Sequence, residues 1–176
     1  INFINNDFTR LGGIRALNML NAVHYCSIIG NEFYELSGAA VCIGNVSGQS
    51  KERAPERWEE KNRIENNYIH DITDDYKSAA AVTLGYTRST TVSHNIIANT
   101  GYSGIHIGWG WAGSRTRGTD SYDVEIGYNL IEEVQNDRIY DGGASYSVGS
   151  QDNTYSPQKN SRVVGNYYRN SRNVYG

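Results

Sequence analysis

The stretch Val92–Gly108, VSHNIIANTGYSGIHIG, decides the fold. Its first half is a frame around one asparagine: Val92, Asn95, Ile97 and Thr100 stand at offsets zero, three, five and eight. Its second half, Ile105-His106-Ile107-Gly108, alternates apolar and polar and then stops at a glycine. Both halves recur. The asparagine frame returns as Phe3/Asn6/Phe8/Leu11, Ile28/Asn31/Phe33/Leu36, Ile64/Asn67/Ile69/Ile72, Ile126/Asn129/Ile131/Val134 and Val163/Asn166/Tyr168/Ser171. The second half returns as Val41-Cys42-Ile43-Gly44, Val82-Thr83-Leu84-Gly85 and Tyr146-Ser147-Val148-Gly149, with Ile14-Arg15-Ala16 as a weaker copy.

Apolar residues at spacings of two and three, broken each time by Asn or Gly, do not form a 3.6-residue helical stripe. They describe short strands joined by tight bends. Asn suits such a bend, because it tolerates positive φ and its amide bonds nearby backbone. Stacked at the ~4.8 Å strand spacing, the amides form a hydrogen-bonded ladder. From one Asn to the next the interval is 25, 36, 28, 34 and 37 residues. The variation falls only after the frame and after the second-half glycine, where a solenoid accepts insertions. The expected fold is all-β: a right-handed, single-stranded parallel β-helix with loop insertions at its corners, the hand following the general preference of parallel crossovers. Residues 1–176 are expected to be one domain. Because Ile1 and Gly176 stand against repeat frames rather than atypical capping coils, the domain reads as part of a longer solenoid, with a further β-helix segment or second chain at an open end.

Bulk properties narrow the partners. The chain has 176 residues and a net charge of −3. It lacks the basic stripe that nucleic acid requires, and the acidic balance disfavours a strongly polyanionic substrate. No apolar run approaches the ~20 residues of a membrane span. Cys26 falls on an inward position and Cys42 on an outward one, so two free thiols are expected. Leu17–Asn21 reads as strand or a turn of helix, His24 as a surface strand residue, and Glu59 and Glu60 as a solvated face. Asn45-Val46-Ser47 has the form of a glycosylation acceptor.

The insertions point to a site. After the asparagine frame, the third and fifth repeats carry TDDYKSAAA (Thr73–Ala81) and QNDRIYDGGAS (Gln135–Ser145), while the fourth has only Gly101–Gly104. The flush fourth corner should be the floor of a cleft walled by acid-bearing loops, Asp74 and Asp75 on one side and Asp137 and Asp141 on the other. The outward column beside it reads Arg15, Cys42, Thr83, His106, Ser147, with His106 exposed in the middle. Trp109 and Trp111 leave the strand just beyond. Sugars stack on such aromatic faces, and glycosidic bonds are usually broken by a carboxyl pair, about 5–5.5 Å apart in retaining and 6.5–9.5 Å in inverting enzymes. Two strand spacings, about 9–10 Å, separate equivalent positions of the third and fifth repeats.

Two stretches carry a family resemblance. Gly104-Ile105-His106-Ile107-Gly108-Trp109-Gly110-Trp111, followed by Asp141-Gly142-Gly143-Ala144-x-Tyr146 through Gln151, resembles the secreted bacterial β-helix proteins of glycan breakdown, which typically show GI-x-x-GWGW and DGGA-x-Y-x-x-G-x-Q stretches. The resemblance implies a secreted, periplasmic or cell-surface glycoside hydrolase acting on a carbohydrate substrate. It points to Asp141 as catalytic acid and leaves the second carboxyl to be found among acids such as Asp74 and Asp75. His106, Trp109, Trp111, Tyr146 and Arg115 are the expected substrate contacts. Neither HExxH nor paired CxxC is present, so no zinc site is signalled; Gly101-Tyr102-Ser103-Gly104-Ile105 lacks the final glycine of a nucleophile elbow. No cofactor is expected for a hydrolase. Two alternatives remain: a polysaccharide lyase, with Arg115, Arg117 or Arg138 reading a uronate and acids holding Ca²⁺, and a non-catalytic glycan-binding or adhesive β-helix.

Overall fold

The computed structural model describes residues 1–44, 59–108, 121–136, 139, 141–148 and 160–171. Among these the regular structure is strand, all paired parallel, in three large sheets and one short pair. The first sheet stacks β1 (Asn2–Ile4), β4 (Ser27–Ile29), β8 (Arg63–Glu65), β12 (Thr91–Ser93), β15 (Glu125–Gly127) and β18 (Arg162–Val164). The second stacks β2 (Asp7–Thr9), β5 (Glu32–Tyr34), β9 (Tyr68–Ile72), β13 (Ile96–Thr100), β16 (Leu130–Val134) and β19 (Tyr167–Arg169). The third stacks β3 (Arg15–Met19), β6 (Ala39–Ile43), β10 (Val82–Leu84), β14 (Ile105–Ile107) and β17 (Ser145–Ser147). A short pair, β7 (Glu59–Glu60) and β11 (Thr87–Arg88), lies between the third sheet and the first in sequence. The chain thus visits the sheets in one fixed order, and each strand bonds to its counterpart one circuit away.

The corners between the first and second sheets explain the asparagine frame. Asn6, Asn31, Asn67, Asn95, Asn129 and Asn166 form one ladder, each Nδ2 donating to the next Oδ1 at 2.9 Å. That same oxygen accepts the backbone N–H of the preceding Asn at 2.9–3.0 Å. From Asn31 onward, the second Nδ2 hydrogen goes back to the frame's first residue one circuit earlier, as in Asn95 to the Ile64 carbonyl at 2.9 Å. An interior amide therefore makes four hydrogen bonds, which lets a polar group sit in the interior without the cost of an unmade bond. The expected positive φ belongs to a neighbour, however. The residue before each ladder Asn (Asn5, Gly30, Asn66, His94, Tyr128, Gly165) is left-handed, and so is the fourth residue after it (Arg10, Glu35, Asp71, Asn99, Glu133, Asn170). The ladder amides are freed from shaping the bend and used only to bond across it.

The core is a set of columns. Ile28, Ile64, Val92 and Ile126 stack on the first sheet, and Phe33, Ile69, Ile97 and Ile131 on the second, all fully buried. Phe8 lies flat on Phe33 with centroids 4.6 Å apart. Ile105 and Ile107 are buried as expected. The columns are exposed at both ends: Val163, level with the buried Ile126, is 60% exposed. A concavity of about 540 Å³ opens on Phe3, Leu17, Met19, Val23 and Cys26 at the first circuit.

Several expectations are corrected. Leu17–Asn21 is not helical, since Leu17, Asn18 and Met19 are in β3, level with Val41, Cys42 and Ile43. The outward column is consequently Asn18, Cys42, Thr83, His106, Tyr146, with Arg15 three residues earlier on its strand and Ser147 one residue later. In the fifth circuit the alternation Tyr-Ser-Val imitates Ile-His-Ile, but Tyr146 takes the outward place beside His106 and Ser145 the inward one. Both cysteines are free. Cys42 is nonetheless buried outside the core columns, and burial raises its thiol pKa. Glu59 is buried rather than solvated, beneath Gly44, while Glu60 pairs with Arg88 at 2.9 Å. Asn45 and the insertion around Trp58 lie outside the described residues.

Candidate active site

The fourth corner, Gly101–Gly104, is flush, as expected, and is tied to both neighbours. Gly101 N–H donates to Thr73 Oγ1 at 2.8 Å and Ala81 N–H to the Ser103 carbonyl at 3.0 Å on one side. On the other side Gln135 N–H donates to the Tyr102 carbonyl at 2.9 Å and Gly143 N–H to Ser103 Oγ at 3.1 Å. The corner is not an open floor. Residues 101–108 are buried, and His106 is only 4% exposed, contrary to the expectation of an exposed imidazole. Tyrosine rings cover it: Tyr102 meets His106 edge-on at 5.2 Å and Tyr146 lies tilted at 4.8 Å.

Asp141 stands over this aromatic group and is exposed. Tyr102 Oη donates to Asp141 Oδ2 at 3.3 Å, a long bond, and Gly142 N–H donates to Asp141 Oδ1 at 2.8 Å. Gln135 Nε2 holds the Asp141 carbonyl at 3.0 Å. The first glycine of Asp-Gly-Gly has a steric role. Gly142 has φ +108°, and a β-carbon there would lie 2.5 Å from both Ser103 Oγ and Tyr102 Cε2. Only a residue without a side chain lets the turn press on the corner closely enough to bring Asp141 to Tyr102.

The electrostatics follow from burial beside the Asp141 carboxyl group. Burial, and then Asp141, push the Tyr102 hydroxyl up to about 12, so it remains a donor at neutral pH. Burial and Asp141 likewise raise Tyr146. Burial pushes His106 down to about 4 against the opposing pull of Asp141. The cluster therefore presents a carboxyl, two protonated phenols and a neutral imidazole, a set that exchanges hydrogen bonds with hydroxyl-rich ligands.

Two concavities border the fourth corner. One, of about 210 Å³, follows the third sheet and is lined by Arg15, Ala39, Tyr76, Ala80, Thr83 and His106 among others. The other, of about 260 Å³, reaches Gly101 and carries Asp74 with Glu35, Asp71, Lys77, Asn99 and Asn136. Asp74 and Asp75 are exposed, their N–H groups anchored to the Leu36 and Ser37 carbonyls. The described contacts thus bring together Asp141, His106 and Tyr146, and set Asp74 in a different hollow. Trp109, Trp111, Arg115, Arg117, Asp137 and Arg138 lie outside the described residues.

Tyr102 and Tyr76 border the candidate site, and motif reading passes over both. Tyr102 sits inside the flush corner, where only the glycines draw notice. Tyr76 follows Asp74-Asp75, whose charges dominate that loop. A signal existed for both: a large aromatic in a loop otherwise built of small or charged residues.

No protein-family model matches the chain, and no curated protein matches it. A solved structure named a glycoside hydrolase superposes on 98% of the chain with a TM-score of 0.76 and 22% identity. At that identity the likeness is one of fold. The chain spans 29% of the length of that neighbour.

Proposed function

We propose that this chain is a segment of a right-handed parallel β-helix that cleaves glycosidic bonds in oligo- or polysaccharides outside the cytoplasm, with Asp141 at the reacting bond. The observation that carries the reading is the cluster itself: an exposed carboxyl fixed by a glycine-pressed turn above Tyr102, Tyr146 and a neutral His106. The fold likeness to a solved structure named a glycoside hydrolase supports it. In this reading Asp141 gives its proton to the leaving oxygen, and the phenols and imidazole bond sugar hydroxyls. A second carboxylate, from the Asp74-Asp75 loop across the flush corner, activates water or attacks the anomeric carbon.

Turnover of an oligosaccharide panel by the wild type and by Asp141→Asn tests the reading. The substitution keeps shape and hydrogen-bonding reach but cannot supply the proton. Turnover is expected to fall by about three orders of magnitude or more, with glycan binding retained. One observation favours a second reading, a non-catalytic glycan-binding surface: among the described residues, no second carboxyl bonds into the Asp141 cluster. An Asp141→Asn protein as active as the wild type, or a wild type that binds glycans and cleaves none, puts that reading first.

A further inference from the structure

Six arginines stand among the described residues, and five have a carboxylate partner. Arg10 pairs with Glu35, Arg63 with Glu65, Arg88 with Glu60, Arg162 with Glu125 and Arg169 with Glu132. Arg15 is the exception: among the described residues no carboxylate is bonded to it. It is also half-buried, on β3 at one end of the concavity that ends at His106.

The surroundings of Arg15 hold little that could satisfy a guanidinium. Its strand partner is Ala39, and Ala79, Ala80 and Ser78 continue the wall. Small side chains keep the hollow open, and Tyr76, 43% exposed, lends it an aromatic face. Arginine's planar fork matches a carboxylate through two parallel bonds. A cation in an open, largely apolar-walled hollow, with no described carboxylate bonded to it, is set to take an anion.

The register gives the direction in which a ligand lies. Arg15 belongs to the first circuit, Ala39 to the second, Thr83 to the third and His106 to the fourth. Three strand spacings, about 14 Å, separate the rows of Arg15 and His106. A single sugar does not bridge that distance, and a chain of sugars laid across the strands does. The hollow's volume of about 210 Å³ is below the ~300–1,000 Å³ of a complete small-molecule pocket. That suits one stretch of a longer polymer.

We infer that the hollow between Arg15 and His106 is a subsite for an acidic glycan, with Arg15 holding the carboxylate of a uronic acid residue several sugars away from the Asp141 end. The inference rests on the glycan reading above and adds its substrate class. A single carboxylate on an otherwise neutral chain is compatible with the net charge of −3, whereas a dense polyanion is not. Tyr76 offers its ring face to a sugar between the two ends.

The test is binding, measured by calorimetry with three probes. These are tri- to pentasaccharides containing one uronate, the same oligosaccharides with the carboxyl reduced to a primary alcohol, and the reduced forms carrying a sulfate. The uronate form should bind about 10- to 100-fold more tightly than its reduced counterpart. Arg15→Gln should erase that difference and leave binding of the reduced form unchanged, while Arg15→Lys should keep part of it. Equal affinity for uronate and reduced probes overturns the inference, as does an Arg15→Gln protein that weakens both alike. Preference for the sulfated probe alone overturns the carboxylate assignment. Turnover by Asp141→Asn bears only on hydrolysis and selectivity for the carboxylate bears only on Arg15, so the two readings fail separately.

Discussion

His106 shows how one residue's position changes its chemistry. On the alternation of β14 it points away from the core, yet Tyr102 and Tyr146 close over it and hold it neutral. Its pKa is about 4 in the folded protein and about 6.5 when exposed, so the folded state binds fewer protons over that interval. Stability contributed by neutral His106 is complete above pH ~6.5 and is lost as the pH falls towards 4, by roughly 3 kcal/mol in full. Denaturant titrations at pH 7 and pH 4.5 should show this fall in the wild type, and His106→Gln should flatten it. An unchanged slope in the variant would show that other groups carry the acid sensitivity. His70 runs the other way. Burial opposes its charge, but bonds to Asp71 and Glu32 prevail and raise its pKa. Its contribution is therefore present below pH ~6.5 and lost as the pH rises through the raised value. At Gly142 the prediction is steric. Gly142→Ala should leave the sheets intact by circular dichroism yet cut turnover at least tenfold, because the new methyl meets Tyr102 and lifts Asp141. A fully active Gly142→Ala protein would show that the approach to Tyr102 is unimportant.

At the scale of elements, the ladder and the columns specify register together. Asn95 bonds to Asn67, Asn129 and the Ile64 carbonyl, so Asn95→Ala leaves several buried groups unmet and should cost about 2–4 kcal/mol. Ile97→Asp places an unpaired charge between Ile69 and Ile131 and should cost more than about 4 kcal/mol. Urea melts of the two variants measure both. The first two sheets were legible in the sequence because an amide and an apolar column mark the same strand. The third sheet was legible only where Gly directly follows the strand, at Ile43, Leu84 and Ile107. In β3 and β17 the apolar pattern is ambiguous by one to three residues, and pairing with neighbours settles it. Burial of His106 and Glu59 was not legible, because it depends on neighbours outside their own strands, Tyr102 and Tyr146 at His106 and Gly44 at Glu59. Of the candidate site, Asp141 was singled out by the family resemblance and the expanded fifth corner, but its partner Tyr102 depends on a contact between circuits that no local pattern announces.

For the whole molecule, each circuit touches only its neighbours, so stability is distributed along the stack. In this chain taken alone, amide exchange should be slowest in β9 and β13, which are paired on both sides, and fastest in β1, β2, β18 and β19, which have one described partner each. Uniform protection from end to end would mean that the stack melts as a single unit. The large sheets leave the same polar corner facing each successive circuit, while the corners beyond the second sheet vary in length. The candidate site therefore lies where length is free, beside Asp141, Tyr76 and the flush corner.

The asparagine ladder also has a polarity. Every Nδ2 points along the row toward the later circuit, and every Oδ1 toward the earlier one. A rung added beyond Asn166 must bring an acceptor, and one added before Asn6 must bring a donor. Two copies meeting face to face through like ends would set donor against donor or acceptor against acceptor. A symmetric pair through either end cannot extend the row, and head-to-tail addition can. Such addition does not close on itself, so any assembly that prolongs this ladder is a filament in its logic, limited only by whatever ends it.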